Sequence, residues 1–214
     1  MTQNRYIGVH NLLTPDNSVV LLIDHQPIQF AGIQNMDPTL VINNVAGLAE
    51  TAKLFGIPTI LTTVVEERGG LIHKDIQSVF PEQKPINRAT LNTWEDKRVV
   101  ELIKKTGRTK LVIAGLWTEI CLAYPVLSAL DGGYEVFFVT DASGGVSVEA
   151  HERAIQRMIQ AGAVPLTWIA FASELQRDWA REKTIAGIAA IMSRHGGGIG
   201  STLAWETQLL GVHR

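Results

Sequence analysis

The sequence contains a single cysteine, Cys121, among its 214 residues. One thiol cannot form a disulfide within the chain, and zinc sites built from several cysteines are excluded. No run of 18 apolar residues occurs, so we expect no membrane-spanning segment. The opening segment, MTQNRYIGVHNLLTP, lacks the apolar core of a signal peptide. These features predict a protein of the reducing cytoplasm with no membrane partner.

Neither sign of charge dominates the chain. Lysine and arginine number 19 and aspartate and glutamate 21, which gives a net charge of −2. Such a chain has no basic field to hold a phosphate backbone, so we expect no nucleic-acid partner. Hydrophobic residues make up 46% of the sequence, which excludes a disordered chain. The length predicts one domain over residues 1–214.

Sequence motifs for common cofactors are also missing. No GxGxxG follows the first predicted strand, where DHQP (24–27) stands, so the turn that cradles a dinucleotide is absent. No P-loop motif occurs, and the six histidines show no HxxxH or HxH pairing. We therefore predict no cofactor and no metal.

Short apolar runs alternate with amphipathic segments along the chain. Strands are predicted over 18–23, 58–65, 110–114, 135–140 and 164–168, and helices over 38–55, 96–106, 118–130, 147–160 and 173–195. Residues 66–92 show no clear period and are predicted to form a long loop with one helical turn near 75–79. The alternation predicts a three-layer α/β sandwich with a mainly parallel sheet. Residues 196–214 are predicted to form a tail that begins with a flexible glycine run and packs on a neighbouring subunit.

Two polar residues follow predicted strands, at the sheet edge where ligands bind in such folds. Cys121 lies near the start of a predicted helix, where the helix dipole would favour a thiolate. Its alternative role is that of a small buried hydrophobic residue. Asp24 ends the first strand and is either a turn former or a general base whose pKa is raised by burial.

The predicted loop carries two basic residues of interest, Lys84 and Arg88. Both could be solvated surface charges, the usual fate of basic loop residues. Alternatively, a cation from this loop stabilises the Cys121 thiolate and the oxyanion that its attack generates. His25, beside Asp24, is interpreted as a residue of the pocket wall.

Three segments, in the same order along the chain, resemble the isochorismatase-like cysteine hydrolases. They are VVLLIDHQ (19–26), like the strand that ends in the catalytic aspartate, LVIAGLWTEIC (111–121), like the strand–turn–nucleophile signature, and VFFVTDASGG (136–145), like the next strand and its Asp-Ala turn. The similarity covers roughly residues 18–180. Segments 161–168 and 172–179 further resemble the YcaC-like subgroup of this family.

The resemblance implies an isochorismatase-like, Rossmann-like topology and a catalytic set of aspartate, lysine and cysteine. Asp24 and Cys121 take two of these places. The family lysine stands six residues before an aromatic residue, and here that spacing leads from Trp94 to Arg88. Arginine supplies the charge but cannot shuttle a proton. The resemblance also implies a cis peptide bond at Leu116–Trp117, which with Cys121 directs N–H groups toward the substrate carbonyl.

A small-molecule hydrolase is the function that the resemblance implies. The expected reaction is cleavage of an amide-like C–N bond through a thioester on Cys121, in a pocket lined by Phe30, Trp94 and Trp117. Some amidases of the family hold a metal through an Asp-x-His pair that this chain lacks, which again predicts no metal. The alternatives are a thiol that reacts with peroxide and a binding protein of the same fold with little turnover. Relatives are commonly oligomeric, so we expect a homo-oligomer.

Overall fold

Six parallel strands form the central sheet in the computed structural model, which describes residues 11–211. The strands are β1 (Ser18–Ile23), β2 (Thr59–Val64), β3 (Ile86–Arg88), β4 (Lys110–Gly115), β5 (Glu135–Val139) and β6 (Val164–Leu166). Their order across the sheet is β3-β2-β1-β4-β5-β6, and every neighbouring pair is parallel.

Helices cover both faces of this sheet. They are α1 (Pro27–Ala31), α2 (Pro38–Leu54), α3 (Glu66–Gly69), α4 (Lys74–Gln77), α5 (Lys97–Lys105), α6 (Ala123–Asp131), α7 (Val148–Gln160), α8 (Trp168–Gln176), α9 (Glu182–His195) and α10 (Gly198–Leu210). Within the described residues, no helix has the length and apolar character needed to cross a membrane.

The apolar sequence of β1 follows from its place at the centre of the sheet. Val20 and Leu22 face a core that also receives side chains of α1, α2, α8 and α9. Val19 and Leu21 face the opposite core, with side chains of α5, α6 and α7. Because successive strand residues point to opposite faces, a strand covered on both sides must be apolar throughout. The predicted three-layer α/β sandwich is confirmed.

The prediction of a long loop over 66–92 with one helical turn near 75–79 is correct only for that turn, which corresponds to α4 (Lys74–Gln77). This segment contains α3, α4 and the edge strand β3, in which Arg88 pairs with Val64 of β2. A three-residue strand at the sheet edge is too short to show an alternating pattern, which explains why it was missed. Arg88 is therefore held by the sheet rather than by a loop.

The C-terminal part also differs from the prediction. The single helix predicted over 173–195 is instead two helices, α8 and α9, separated at Arg177, whose φ is 51°. The glycine run predicted to be flexible leads directly into α10. Residues 1–10, which include most of the opening segment, and residues 212–214, the end of the predicted tail, lie outside the described residues.

The strand order places two connections side by side at the carboxyl edge of the sheet. From β1 the chain moves outward to β2 and β3, and it then returns to β4 on the other side of β1 before continuing to β5 and β6. Adjacent connections that run in opposite directions leave a crevice, the usual ligand site of such sheets. Asp24 follows β1 at this point, and the segment leading to Cys121 follows β4.

Candidate active site

Asp24 lies directly after β1 with a left-handed backbone (φ 58°) and a fully buried side chain. Its N–H donates to the Thr62 carbonyl at 3.0 Å, which ties the end of β1 to β2. One carboxylate oxygen accepts the Arg88 Nη2 at 2.6 Å, and the other accepts the Thr62 hydroxyl at 3.3 Å. The carboxylate also lies close enough to the Cys121 thiol for each group to affect the pKa of the other. Asp24 therefore joins the predicted cation to the predicted nucleophile.

Arg88 reaches Asp24 from β3, the edge strand, and its side chain is buried as well. Nη1 donates to the Thr90 carbonyl. The buried Nε finds no hydrogen-bond partner within residues 11–211. Lys84, the other cation considered, is exposed on the surface. The family spacing thus selects the basic residue that contacts Asp24.

Cys121 lies in a π-helical turn, Thr118–Leu122, that continues directly into α6. Only 6% of the residue is exposed, and it packs with the apolar core on the α5–α7 face. The thiol lies close enough to the Asp24 carboxylate and to the Trp117 backbone for both groups to change its pKa. It therefore lies within reach of both the candidate base and the turn after β4.

The protonation state of Cys121 differs from the prediction. Burial, followed by the negative charge of Asp24, raises the pKa of the thiol to about 12, and the Arg88 cation offsets only part of this effect. The expected thiolate at a helix start is therefore wrong, because loss of solvent outweighs the helix dipole. Burial also raises the pKa of Asp24 above its usual value, in the direction predicted, against the opposing charge of Arg88. At rest, the sulfur holds the proton and faces a carboxylate that can take it.

The turn after β4 is fixed by its backbone contacts. The Leu116–Trp117 peptide bond is cis. The Leu116 N–H donates to the Ile23 carbonyl at 3.1 Å, and the Thr118 N–H donates to the Gly144 carbonyl at 2.9 Å. The segment that leads to Cys121 is thus anchored on β1 and on the connection after β5.

The three aromatic residues predicted to line the pocket do not lie together. Phe30 is buried on α1, and the half-buried Trp117 donates its indole N–H to the Gln29 carbonyl on the same helix at 2.8 Å. Trp94 instead packs edge-on against Tyr134, with ring centroids 5.4 Å apart. Since Tyr134 precedes β5, Trp94 lies toward the amino end of that strand, and its assignment to the pocket is corrected. Its hydrophobic surface is buried against the end of α6 instead.

Two further buried polar residues follow Asp24, and the sequence pattern did not assign them a role in holding the site. The Gln26 side chain accepts from the Val64 N–H and donates to the carbonyls of Val64 and Gly70. His25 is fully buried and contacts the Ala142 carbonyl through Nε2 at 3.0 Å. Consecutive polar residues directly after an apolar strand were the available signal for both.

A metal has no evident set of ligands at this site. Within the described range 11–211, no group of three or more histidine, cysteine, aspartate or glutamate residues is placed to hold one.

The structure is an α/β fold in which a buried aspartate, arginine and cysteine gather at the carboxyl edge of the sheet. Residues 18–170 match the isochorismatase domain model, and the chain belongs to the isochorismatase family. The resemblance identified from the sequence motifs is confirmed.

Particular relatives are similar over most of their length. The "Probable hydrolase YcaC" of Escherichia coli (strain K12) is 40% identical over 185 residues, which cover 86% of this chain and 88% of that protein. The crystal structure of the Escherichia coli YcaC gene product, described as an octameric hydrolase of unknown specificity, has a TM-score of 0.89 at 37% identity and covers 95% of this chain and 100% of that one. YcaC from Pseudomonas aeruginosa, solved with hexane-2,5-diol and covalent acrylamide, has a TM-score of 0.88 at 35% identity, covering 96% of this chain and 100% of that one.

Proposed function

We propose that the protein is a cysteine hydrolase that cleaves an amide-like C–N bond of a small molecule through a thioester on Cys121. The observation that carries this proposal is the buried Asp24–Arg88 ion pair, with the Asp24 carboxylate close enough to Cys121 to raise the pKa of its thiol. A nucleophile paired with a base, and a base held by a third group, is the arrangement that covalent acyl transfer needs.

In the first half of the reaction, Cys121 is acylated. Asp24 takes the thiol proton as Sγ attacks the substrate carbonyl carbon, and the π electron pair moves to the carbonyl oxygen. Backbone N–H groups of Trp117 and Cys121 are proposed to stabilise that oxyanion, because the Leu116 N–H already donates to the Ile23 carbonyl. Collapse of the intermediate breaks the C–N bond, and Asp24 returns the proton to the leaving nitrogen. A base with a raised pKa suits both proton transfers.

In the second half, water replaces the amine. Asp24 takes a proton from water as the water oxygen attacks the thioester carbon. The C–S bond then breaks, the sulfur regains a proton from Asp24, and a carboxylic acid leaves. One water molecule is consumed, and the enzyme returns to its starting protonation state.

Arg88 acts in this scheme through its charge. Its guanidinium group lies 2.6 Å from Asp24 and favours the ionised carboxylate in a buried site. Because arginine stays protonated, it does not carry a proton in the reaction. Its buried Nε, which has no partner in the described part of the chain, is available to a polar group of the substrate.

Two relatives support the proposal. YcaC of Escherichia coli is named a probable hydrolase. YcaC from Pseudomonas aeruginosa was solved with covalent acrylamide, and acrylamide is an electrophile that reacts with nucleophilic side chains such as thiols. A covalent acrylamide adduct in the same fold, at 35% identity, is consistent with Cys121 as the nucleophile in this chain.

Ammonia release from small primary amides, such as acetamide and benzamide, tests the proposal. The protein is incubated with each amide, ammonia is measured, and acid-quenched samples are examined by intact mass. We expect ammonia release and an acyl adduct with the native protein, and neither with the Cys121→Ala variant. Full amidase activity in Cys121→Ala would refute the mechanism.

The same mass measurement after treatment with hydrogen peroxide separates the alternatives. A redox-active thiol would gain one or two oxygen atoms rapidly, whereas a binding protein would show no adduct in either experiment. The thiol pKa of about 12 and the burial of Cys121 count against rapid oxidation, since the thiolate is the reactive form.

We also propose that the protein is a homo-oligomer. The structure described as octameric is covered over its full length by this chain. Helix α10 exposes Trp205, Leu209 and Leu210, which are 61%, 80% and 69% accessible in the single chain. A second copy of the chain is the proposed occupant of this apolar surface.

A further inference from the structure

The imidazole of His25 extends across the carboxyl end of β4. His25 follows β1 by two residues, and its Nε2 contacts the carbonyl of Ala142, which follows β5. Since β4 lies between β1 and β5, the ring passes the point from which the Leu116–Trp117 turn departs. The ring therefore lies at the same carboxyl edge of the sheet as the candidate catalytic centre.

The tautomer of His25 follows from its one polar contact. A carbonyl oxygen only accepts hydrogen bonds, so Nε2 carries the hydrogen and donates to Ala142 at 3.0 Å. Nδ1 is then an acceptor, and it finds no partner among the described residues. Burial lowers the pKa of His25 to about 4, helped by the charge of His73 and opposed by the Ala142 bond, so the ring stays neutral.

The His25 ring also has an aromatic neighbour, and its backbone is held by a hydrogen bond. The Phe30 ring packs at 5.9 Å from His25 and at 5.5 Å from His73. The His73 N–H donates to the His25 carbonyl at 2.8 Å, which fixes the backbone at this position. The ring thus donates from Nε2 to a fixed carbonyl and packs against a fixed aromatic ring. Its acceptor nitrogen, Nδ1, has no hydrogen-bond partner among the described residues.

We propose that Nδ1 of His25 accepts a hydrogen bond from an N–H group of the substrate, and that His25 thereby selects amides over carbonyl compounds that lack a donor. This inference rests on the proposed function, because it assumes that the substrate binds next to Cys121. A buried acceptor is disfavoured when it has no partner, so a substrate N–H is matched and a methyl group in its place is not. One neutral hydrogen bond corresponds to a selectivity of roughly fivefold to tenfold.

Alkylation of Cys121 by two electrophiles of similar shape measures this selectivity. Acrylamide carries an NH₂ group where methyl vinyl ketone carries a methyl group. The second-order rate of each with the protein is divided by its rate with glutathione, which removes intrinsic reactivity. For the native protein we expect the normalised ratio to favour acrylamide by roughly fivefold to tenfold.

Two variants separate the acceptor from the structural contact of the ring. His25→Asn keeps a polar atom near the position of Nδ1 and gives up the contact with Ala142. His25→Gln keeps a donor near the position of Nε2 and gives up the acceptor. We expect His25→Asn to retain most of the preference for acrylamide and His25→Gln to lose it.

The outcomes bear on different claims. A native protein that is alkylated at Cys121 with no preference for acrylamide overturns the role of His25 and leaves the nucleophile intact. Equal selectivity in native protein and His25→Gln also overturns the role of His25. If a variant fails to fold, the ratio measured for the native protein still tests that role. No alkylation of Cys121 by either electrophile overturns the proposed function, and this inference with it.

Discussion

Asp24 and Cys121 affect each other's protonation, although burial is the largest cause of the raised pKa of each. The Asp24 charge adds to the raised pKa of the Cys121 thiol, while the charge of Arg88 and, after it, the neighbouring thiol stabilise the Asp24 carboxylate. A thiol that stays protonated until substrate arrives is protected from oxidation, because the thiolate is the form that reacts. Activation then depends on proton transfer within the pair.

The Asp24→Asn variant tests this coupling. Removing the carboxylate removes the second-largest cause of the raised thiol pKa and leaves the favourable Arg88 charge unopposed. We expect the pKa of Cys121 to fall from about 12, so that alkylation by iodoacetamide becomes faster at neutral pH while amide turnover is lost. The pH dependence of the alkylation rate measures the change.

The exposed Asp131 provides the matched control for this prediction. Asp131→Asn removes the same charge away from the site and should leave the alkylation profile unchanged. A thiol pKa in Asp24→Asn equal to that of the native protein would show that Asp24 does not govern the sulfur.

The raised pKa of Cys121 also predicts that the protein loses stability at alkaline pH. Burial raises the pKa of the Cys121 thiol from an ordinary value of 9.0 to about 12 in the folded protein. The thiol therefore ionises at a lower pH in the unfolded chain than in the folded protein. Its contribution to the free energy of unfolding is complete below pH 9 and is lost as the pH rises toward 12. At pH 10 the loss amounts to about 1 kcal/mol.

Urea unfolding at pH 8 and pH 10, with a reductant present, measures that loss. Other titrating groups contribute equally to native protein and to Cys121→Ala, so the difference between the two isolates the thiol. We expect native protein to lose about 1 kcal/mol more than Cys121→Ala between these pH values. An identical loss in both would mean that Cys121 titrates normally in the folded state.

At the scale of elements, the site depends on a clamp between the ends of β1 and β2. The Gln26 amide is fully buried and pairs with both backbone groups of Val64, which ends β2, and with the Gly70 carbonyl after α3. Such a clamp holds the end of β1, and with it Asp24, against the neighbouring strand. It also explains why an amide side chain occupies a position inside the protein.

Gln26→Met should destabilise the protein by about 2–4 kcal/mol, since three backbone groups lose their partner and each costs about 1 kcal/mol. Thermal or urea unfolding measures the change. The control is Gln29→Met in the following helix, because the buried Oε1 of Gln29 has no partner within residues 11–211. We expect that control to be nearly neutral, and similar losses in both variants would argue against the clamp.

At the scale of the whole molecule, α10 presents apolar residues that the rest of a single chain leaves exposed. Apart from Gly200 its residues are partly or fully exposed, although it packs beside α9. Contiguous apolar surface of this kind usually marks an interface. The proposed assembly with further copies of the chain would cover it.

The double variant Trp205→Glu with Leu209→Glu tests that assembly. Both side chains are more than half exposed, so the fold should tolerate charges there, whereas a subunit interface should not. We expect a smaller mass by light scattering with an unchanged circular dichroism spectrum. Leu102→Glu, on the exposed side of α5, is the control and should keep the native mass. An unchanged mass in the double variant would exclude α10 from the interface.

Much of the architecture could be predicted because its physical cause is local. The apolar run of β1 reports burial on both faces, and the predicted strand 18–23 coincides with the observed one. Asp24 and Cys121 stood out because they follow strands, and the family motif pointed to Arg88. Strand β3 could not be found this way, since three residues at an edge carry too little pattern.

The sequence by itself determined the layered α/β fold, the family and the residues that gather at the sheet edge. These could be predicted because hydrophobic period and motif spacing depend only on the order of residues in the chain. Only the tertiary structure decided that Cys121 is a protonated thiol, that Trp94 packs away from Asp24, and that His25 keeps one unpaired nitrogen. These properties depend on desolvation and on contacts between distant segments. Both arise only once the chain has folded, so no local pattern records them.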